Sequence, residues 1–369
     1  MLNVLHINCN YLDNAVHKLL VQHLEKFEIY NKVYVPIGRK NIYVSEENVV
    51  VSNCFKIVDR VWFDFKQNKI FRDITKKIDL KKFNIIHAYT LFTDGNCAFR
   101  IYKKYKIPYV VAVRNTDMNY FLKYRIWLRK RGINIIKNSK AVFFLSNSYM
   151  ERFLELYVPE DLKSEIKQKC IVIPNGVDKF WIENKIREAK IYRYGSIIKI
   201  LYVGKIDKEK NLKLTLEAIN KLSDEGYGIQ YTAVGKIINK SVYNLLEKNN
   251  HVKYISHCSK EELINIYREN DLFVMPSLRE TFGVVYVEAM SQGLPVVYTR
   301  NEGFDGQFSD GIVGYAIDSH SSDELVYVIK NILEKYHDIS ERCLKNVEIF
   351  DWDDIAKKYE DIYQEVLST

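Results

Sequence analysis

Glycine is scarce in the first half of this chain. Of 15 glycines, Gly38, Gly95 and Gly132 precede Pro174, and the rest follow from Gly176 onward. Loops that let the backbone come close to a ligand are therefore expected in the second half. The six cysteines (Cys9, Cys54, Cys97, Cys170, Cys258, Cys343) are scattered and never form a C-x-x-C pair. That pattern reads as free thiols in a reducing cytosol and argues against zinc. No run of about eighteen apolar residues occurs, so no membrane-spanning helix is expected. The start, "MLNVLHINCNYLD", lacks a basic opening and a long apolar stretch, so no signal peptide is expected. Repeats and low-complexity tracts are missing too. The net charge of +8 comes without a zinc-finger or RNA-recognition signature. Nucleic acid is thus the least favoured partner, behind anionic lipid and a phosphorylated small molecule.

What is present is an ordinary globular composition, 47% apolar over 369 residues, long enough for two domains. The first half alternates short β-branched and aromatic runs ("LNVLHIN", "KVYVPI", "NIIHAY", "YVVAVR", "AVFFLS") with amphipathic stretches such as "AVHKLLVQHLEKF" and "GNCAFRIYKKYK". This alternation argues for a mainly parallel sheet covered by helices. "CIVIPNGVD" places a turn signal after an apolar strand and marks a boundary. The alternation then restarts with "IKILYVG", "IQYTAVG", "VKYIS", "DLFVMPS" and "LPVVYT". Ser259 ahead of Glu262, and Ser321 ahead of Glu324, read as capping boxes. The expected architecture is α/β: two doubly wound, Rossmann-like domains facing a cleft, residues 1–173 and 174–350. A terminal helix, 351–369, is expected to pack back on the first domain.

The chemistry concentrates in "SLRETFGVVYVEAMSQGLPVV". Ligands of open α/β sheets sit beyond the carboxyl ends of the strands. "DLFVMPS" ends such a strand, so Glu280 falls in the loop at the ligand edge and a helix starts near Gly283. Backbone N–H groups there suit a phosphate or a sugar hydroxyl. Glu288 lies about five residues further, roughly 7–8 Å along the axis. The two carboxylates could then hold separate hydroxyls of one long polar ligand. The alternative is that Glu280 caps the helix and Glu288 is a solvated face residue. In "LYVGKIDKEKN", Gly204 allows close approach after a strand, and Lys205 and Lys210 could grip a diphosphate.

This block, with "VIPNGVD", "YVGKIDKEKN", "YTAVGK", "SKEELINIYRENDLFVMPS" and "NEGFDGQFSDGIVGYAI" in order around it, resembles the signature of the retaining glycosyltransferases of family four, which have the GT-B fold. The resemblance covers nearly all of residues 170–320, with weaker echoes before. It implies a donor site. Glu280 would contact donor-sugar hydroxyls beside the backbone of Phe282, Gly283 and Val284. Glu288 would bind the ribose, and Lys205 and Lys210, with Gly204 before them, would neutralise the diphosphate. No cofactor or metal is implied. Negative charge building on the leaving phosphate would be met by the lysines and the helix N–H groups.

The chain departs from the family in two places. "INCNYLDNAV" has no glycine where many members have a glycine-rich loop. Arg114 stands where a histidine is common. Arg114 or Asp117 is the candidate to face the reacting centre, with a structural ion pair as the other reading of Arg114. His87 reads as a satisfied histidine at a strand end. "DWDD", Asp351 to Asp354, contains a D-x-D, but its acidic residues suit the first turn of a helix. Tyr120 to Lys140 reads as a basic helix with aromatics, suited either to an anionic membrane or to packing on the first domain. The resulting expectation is a cytoplasmic enzyme, at most peripheral on the membrane. It would move a sugar from a nucleotide diphosphate donor to a glycan or lipid-linked acceptor in bacterial surface polysaccharide assembly. An epimerase on the same scaffold and a catalytically silent binding protein are the rivals.

Overall fold

The computed structural model describes residues 2–38 and 46–368. The chain divides into two compact units. One comprises Met1–Leu145, Met150–Ile173 and Trp352–Thr369, and the other Ser146–Tyr149 and Pro174–Asp351.

Among the described residues, the first unit holds seven strands: β1 Leu2–Ile7, β2 Ile29–Ile37, β3 Val49–Asn53, β4 Ile85–Ala88, β5 Tyr109–Ala112, β6 Ala141–Phe144 and β7 Cys170–Val172. They form one sheet in the order β3-β2-β1-β4-β5-β6-β7, with every pair parallel. β4, β5 and β6 are buried along their whole length, the state that continuous apolar runs in a helix-covered parallel sheet imply. The last helix, Trp352–Ser368, belongs to this unit. Its Trp352, Ile355, Tyr359 and Tyr363 join a core with Val4, Ile85, Val110 and Phe143. Asp353, in its first turn, pairs with His23 at 2.6 Å and Lys26 at 2.5 Å. The D-x-D thus sits on a helix start and contributes to packing there. His87 is buried under the same helix, its Nδ1 2.7 Å from Tyr363 Oη, its ring stacked on Tyr89.

The second unit holds β8 Ile198–Val203, β9 Ile229–Val234, β10 Val252–Ile255, β11 Leu272–Val274, β12 Val296–Thr299 and β13 Gly314–Ile317. Their order is β10-β9-β8-β11-β12-β13, again all parallel. Each sheet therefore reverses its winding once, at β1/β4 and at β8/β11. Those reversals are where a doubly wound sheet leaves an open crevice for a ligand.

Three local expectations need correction. Ser259 and Glu262 form a reciprocal capping box, but Ser321 and Glu324 do not. Ser321 accepts from Glu324 N, while the Glu324 carboxylate turns to Arg300 at 2.6 Å and to Asp318 N at 2.8 Å. A guanidinium is the stronger partner, so the box is half made. Tyr120 to Lys140 is not one helix: it runs through a wide π-type turn at Asp117–Leu122, a short 3-10 turn at Ile126–Leu128 and a helix at Arg129–Asn138. Strands β3 and β13 were missed by the sequence reading.

Candidate functional site

The second unit brings the singled-out residues to its reversal point. The loop after β8 carries Gly204, Lys205 and Lys210; the loop after β11 carries Glu280 and Phe282. The two loops are tied together: Leu278 N donates to Glu209 O at 2.8 Å, and Asn211 Nδ2 to Pro276 O at 3.1 Å. Lys210 Nζ reaches Glu280 Oε2 at 2.6 Å, forming an ion pair. Lys205, earlier in the same loop, is exposed, with its backbone carbonyl held by Tyr202 Oη at 2.7 Å.

Glu280 does not cap the helix that follows. The N-cap is Gly283, at φ +79°, and the helix runs Val284–Ser291. A side chain at Gly283 would be strained there and would meet the Tyr286 ring at 2.5 Å. The first N–H groups of such a helix have no intrahelical acceptor and are open to a ligand. Phe282 is buried against Phe304 and Phe350, so only its backbone can serve one.

Glu288 sits one turn into the helix and makes a separate contact. Tyr267 Oη donates to its Oε2 at 3.0 Å. Burial pushes its carboxyl up to about 7, against the lowering effect of Tyr267 and Lys260. It is therefore not a solvated face residue. Nearby, Lys260 pairs with Asp178 of "VIPNGVD".

Sequence reasoning missed Glu302. Its buried carboxylate accepts from Glu280 N at 2.9 Å, and the next residue, Gly303, donates its N–H to Glu280 O at 3.0 Å. A Cβ at Gly303 would lie 2.2 Å from Thr281 O. The Glu280 loop is thus clamped on both backbone sides. The signal was the "NEG" of "NEGFDGQ", an acid beside a glycine after a strand.

In the first unit, the glycine-free loop after β1 is organised by asparagines instead. Asn8 Oδ1 accepts from Asn10 N at 3.1 Å, and Asn14 Oδ1 from Val16 N at 3.1 Å, side chains standing in for turn backbone. Asp117 lies after β5 with its carboxylate accepting from Leu91 N, Phe92 N and Arg114 N at 3.0–3.2 Å. Burial nevertheless pushes it up to about 6. The Arg114 side chain is buried, and its Nε and Nη1 find no hydrogen-bond partner among the described residues. Burial holds the neighbouring imidazoles neutral, His6 at about 4 and His17 at about 3.

The same unit carries an unexpected surface. Trp127 (68% exposed) and Tyr124 come from the basic stretch; Val61 and Trp62 (71% exposed) come from residues 57–65. The segments are adjacent, since Arg125 Nη2 reaches Arg60 O at 3.4 Å and Phe63 packs on Phe121. Among the described residues, no helix is long and apolar enough to cross a membrane.

Two all-parallel units wound in this order, each with its reversal point, make up the GT-B fold. Residues 165–349 match the family model of glycosyl transferases group 1, and residues 19–179 match that of glycosyltransferase family 4. The chain belongs to this glycosyltransferase family. An uncharacterized 41.2 kDa protein in the cps region of Klebsiella pneumoniae is 26% identical, covering 98% of this chain and 99% of its own length. Sucrose-phosphate synthase from Thermosynechococcus elongatus matches in fold with a TM-score of 0.77 at 15% identity, over 100% of both chains. HepE of Anabaena, in complex with UDP-glucose, matches with a TM-score of 0.68 at 14% identity, over 99% of this chain and 100% of its own.

Proposed function

We propose that this glycosyltransferase takes its sugar from a nucleotide diphosphate donor and transfers it with retention to a glycan or lipid-linked acceptor, in surface polysaccharide assembly. The observation that carries the reading is the Lys210–Glu280 pair, set before the open N-terminus of the helix that bears Glu288. The ends of that arrangement match the ends of a nucleotide sugar. Glu288 accepts from ribose hydroxyls and Glu280 from sugar hydroxyls. Lys205, Lys210 and the N–H groups of Gly283 and Val284 face the diphosphate. The HepE structure with UDP-glucose supports a nucleotide sugar as donor. The Klebsiella relative's place in a cps region supports the polysaccharide setting.

As the glycosidic bond breaks, charge collects on the leaving diphosphate, and fixed cations there lower the barrier more than they tighten the ground state. The acceptor hydroxyl attacks from the face that the diphosphate leaves, and a phosphate oxygen takes its proton. No protein nucleophile is needed, and the lysines perform the neutralisation that a divalent metal performs elsewhere. The enzyme works in the cytoplasm and touches an anionic membrane surface through the aromatic and basic residues around Trp62 and Trp127.

The test is a transfer assay with uridine and guanosine diphosphate sugars, with and without chelator, the product's anomeric configuration being read by NMR. A retained anomer with chelator-insensitive turnover is expected. Inversion, or turnover that is lost on chelation and restored by magnesium or manganese, would refute the scheme.

A further inference from the structure

On the first unit, a groove of about 470 Å³ lies among helices rather than strand ends. Apart from Trp127, its lining comes from the helices Phe63–Lys77, Thr93–Tyr105 and Arg129–Asn138. Helical spacing puts the lining on one face of each. Asp64 and Asn68 share a face of the first helix, and Asn96, Arg100 and Lys103 share one of the second. The third gives Lys130, Arg131 and Asn134.

The charge of the groove is one-sided. Four cations, Arg100, Lys103, Lys130 and Arg131, stand against one carboxylate, Asp64. Arg131 takes that carboxylate, whose field also reaches Arg100. Arg100 Nη1 donates to Asn68 Oδ1 at 2.9 Å. Lys103 Nζ is 4.5 Å from the centre of the Phe99 ring. Lys103 and Lys130 are exposed, and among the described residues neither pairs with a carboxylate. The helix that carries Lys130 opens on Arg129, Lys130 and Arg131, with no acid in its first turn and no side chain capping its first N–H groups. A helix start is the positive end of the macrodipole, so cations are disfavoured there and an anion is favoured. Arg129 is accounted for by packing, with Nε on Leu122 O at 2.8 Å and its guanidinium over Tyr157. Lys130 is not. Asn68, Asn96 and Asn134 add amides, which suit hydroxyls as donors and acceptors. Asn96 is 5% exposed and fixed in place, its Nδ2 donating to Gln67 Oε1 at 3.0 Å.

Trp127 belongs both to this groove and to the exposed apolar surface it forms with Tyr124 and Ile126, and Asp64 closely follows Trp62. The groove is therefore continuous with the surface assigned above to a membrane. We propose that it binds the headgroup of an anionic glycerophospholipid with free hydroxyls, of the phosphatidylglycerol kind. The phosphate goes to Arg100, Lys103 and Lys130, and the hydroxyls go to the asparagine amides. Charge complementarity selects the phosphate. The same cations repel the ammonium of a phosphatidylserine headgroup, while the amides favour hydroxyls. The lipid held there is an anchor and not a substrate. The proposal rests on the membrane contact above and gives that contact a lipid.

Vesicle sedimentation of the full chain tests it. Phosphatidylcholine vesicles carry equal mole fractions of phosphatidylglycerol or of phosphatidylserine, which match in net charge. The wild type should bind the phosphatidylglycerol vesicles about fivefold or more tightly than the others. Lys103→Gln and Lys130→Gln should each weaken that binding by about fivefold or more. Asn134→Ala removes no charge and should narrow the lipid preference to about twofold. Lys104→Gln removes the same charge just outside the groove and should stay within about twofold of wild type. The four replaced side chains are exposed, so thermal unfolding should be unchanged. Equal binding of the wild type to both lipids overturns the headgroup site while the membrane contact stands. Equal losses in Lys103→Gln and Lys104→Gln do the same, since diffuse attraction to surface charge does not distinguish neighbouring lysines. A wild type that sediments with neither vesicle overturns the membrane contact and the site with it. Capture on dextran sulfate that Lys103→Gln abolishes, without vesicle binding, assigns the groove to an acidic glycan instead.

Discussion

Replacing Glu280 with glutamine separates what the Lys210–Glu280 pair does before the donor arrives from what it does afterwards. The two groups lie 2.6 Å apart with 20% and 13% of their side-chain surfaces exposed, between a surface pair, worth up to about 1 kcal/mol, and a fully buried one, whose breaking costs about 3–5 kcal/mol. Glu280→Gln should therefore destabilise the empty protein by about 1–2 kcal/mol. Lys210 is then freed from its carboxylate and meets the donor diphosphate without competition. Donor affinity should change by no more than about threefold, because the weakened sugar contact is offset by the released lysine. Turnover should fall about tenfold to a hundredfold, since the carboxylate's contact with the sugar matters most as the anomeric carbon becomes electron-poor. Calorimetric donor titration, single-turnover kinetics and thermal unfolding measure the three quantities. A double-mutant cycle with Lys210→Met should show coupling of about 1 kcal/mol or more in the empty protein. Wild-type turnover together with a large loss of donor affinity would refute the reasoning, as would a coupling near zero.

Glu288 titrates near pH 7 in the empty site; if its carboxylate accepts ribose hydroxyls, donor affinity should fall as pH drops from 8 to 6 and level off above 8, and Glu288→Gln should flatten that profile in a pH series of titrations. Asp117→Asn leaves one oxygen for three backbone N–H groups and should cost about 2–3 kcal/mol of stability in denaturant melts; an unchanged midpoint would contradict its anchoring role. The pair Trp62→Ser and Trp127→Ser should reduce binding to anionic vesicles by about tenfold or more while leaving donor affinity intact, read by vesicle sedimentation; wild-type sedimentation would remove the membrane contact.

The strands were legible where burial on both faces forces an unbroken apolar run, as in "NIIHAY" and "AVFFLS", which became β4 and β6. β3 is half-buried with a polar end, "VVVSN", and such edge strands carry a weaker signal. β13 begins at Gly314, where a Cβ would lie 1.7 Å from Val296 O, so a residue poor in strand propensity opens it because nothing larger fits. The outward-facing residues between Ile57 and Phe65 were hidden for a different reason. Their spacing is that of a helix laying an apolar stripe on a core, and periodicity gives the stripe but not the direction it faces. Direction is set by what packs alongside, here Phe63 turning inward to Phe92 and Phe121 while Trp62 turns out.

The same limit applies to chemistry. Glu280, Glu288, Lys205 and Lys210 could be singled out because each lies on a strand-end loop or a helix start whose position the pattern predicts. Glu302 could not, because its meaning is relational. Glu302 matters through the N–H of Glu280, 22 residues away in sequence. A lysine or arginine in a loop is usually solvated and uninformative. It becomes informative when its partner is known, as for Lys210, whose Nζ lies 2.6 Å from the Oε2 of Glu280, 70 residues away in sequence. A pairing of that kind joins two strand-end loops, and seeing it needs three dimensions.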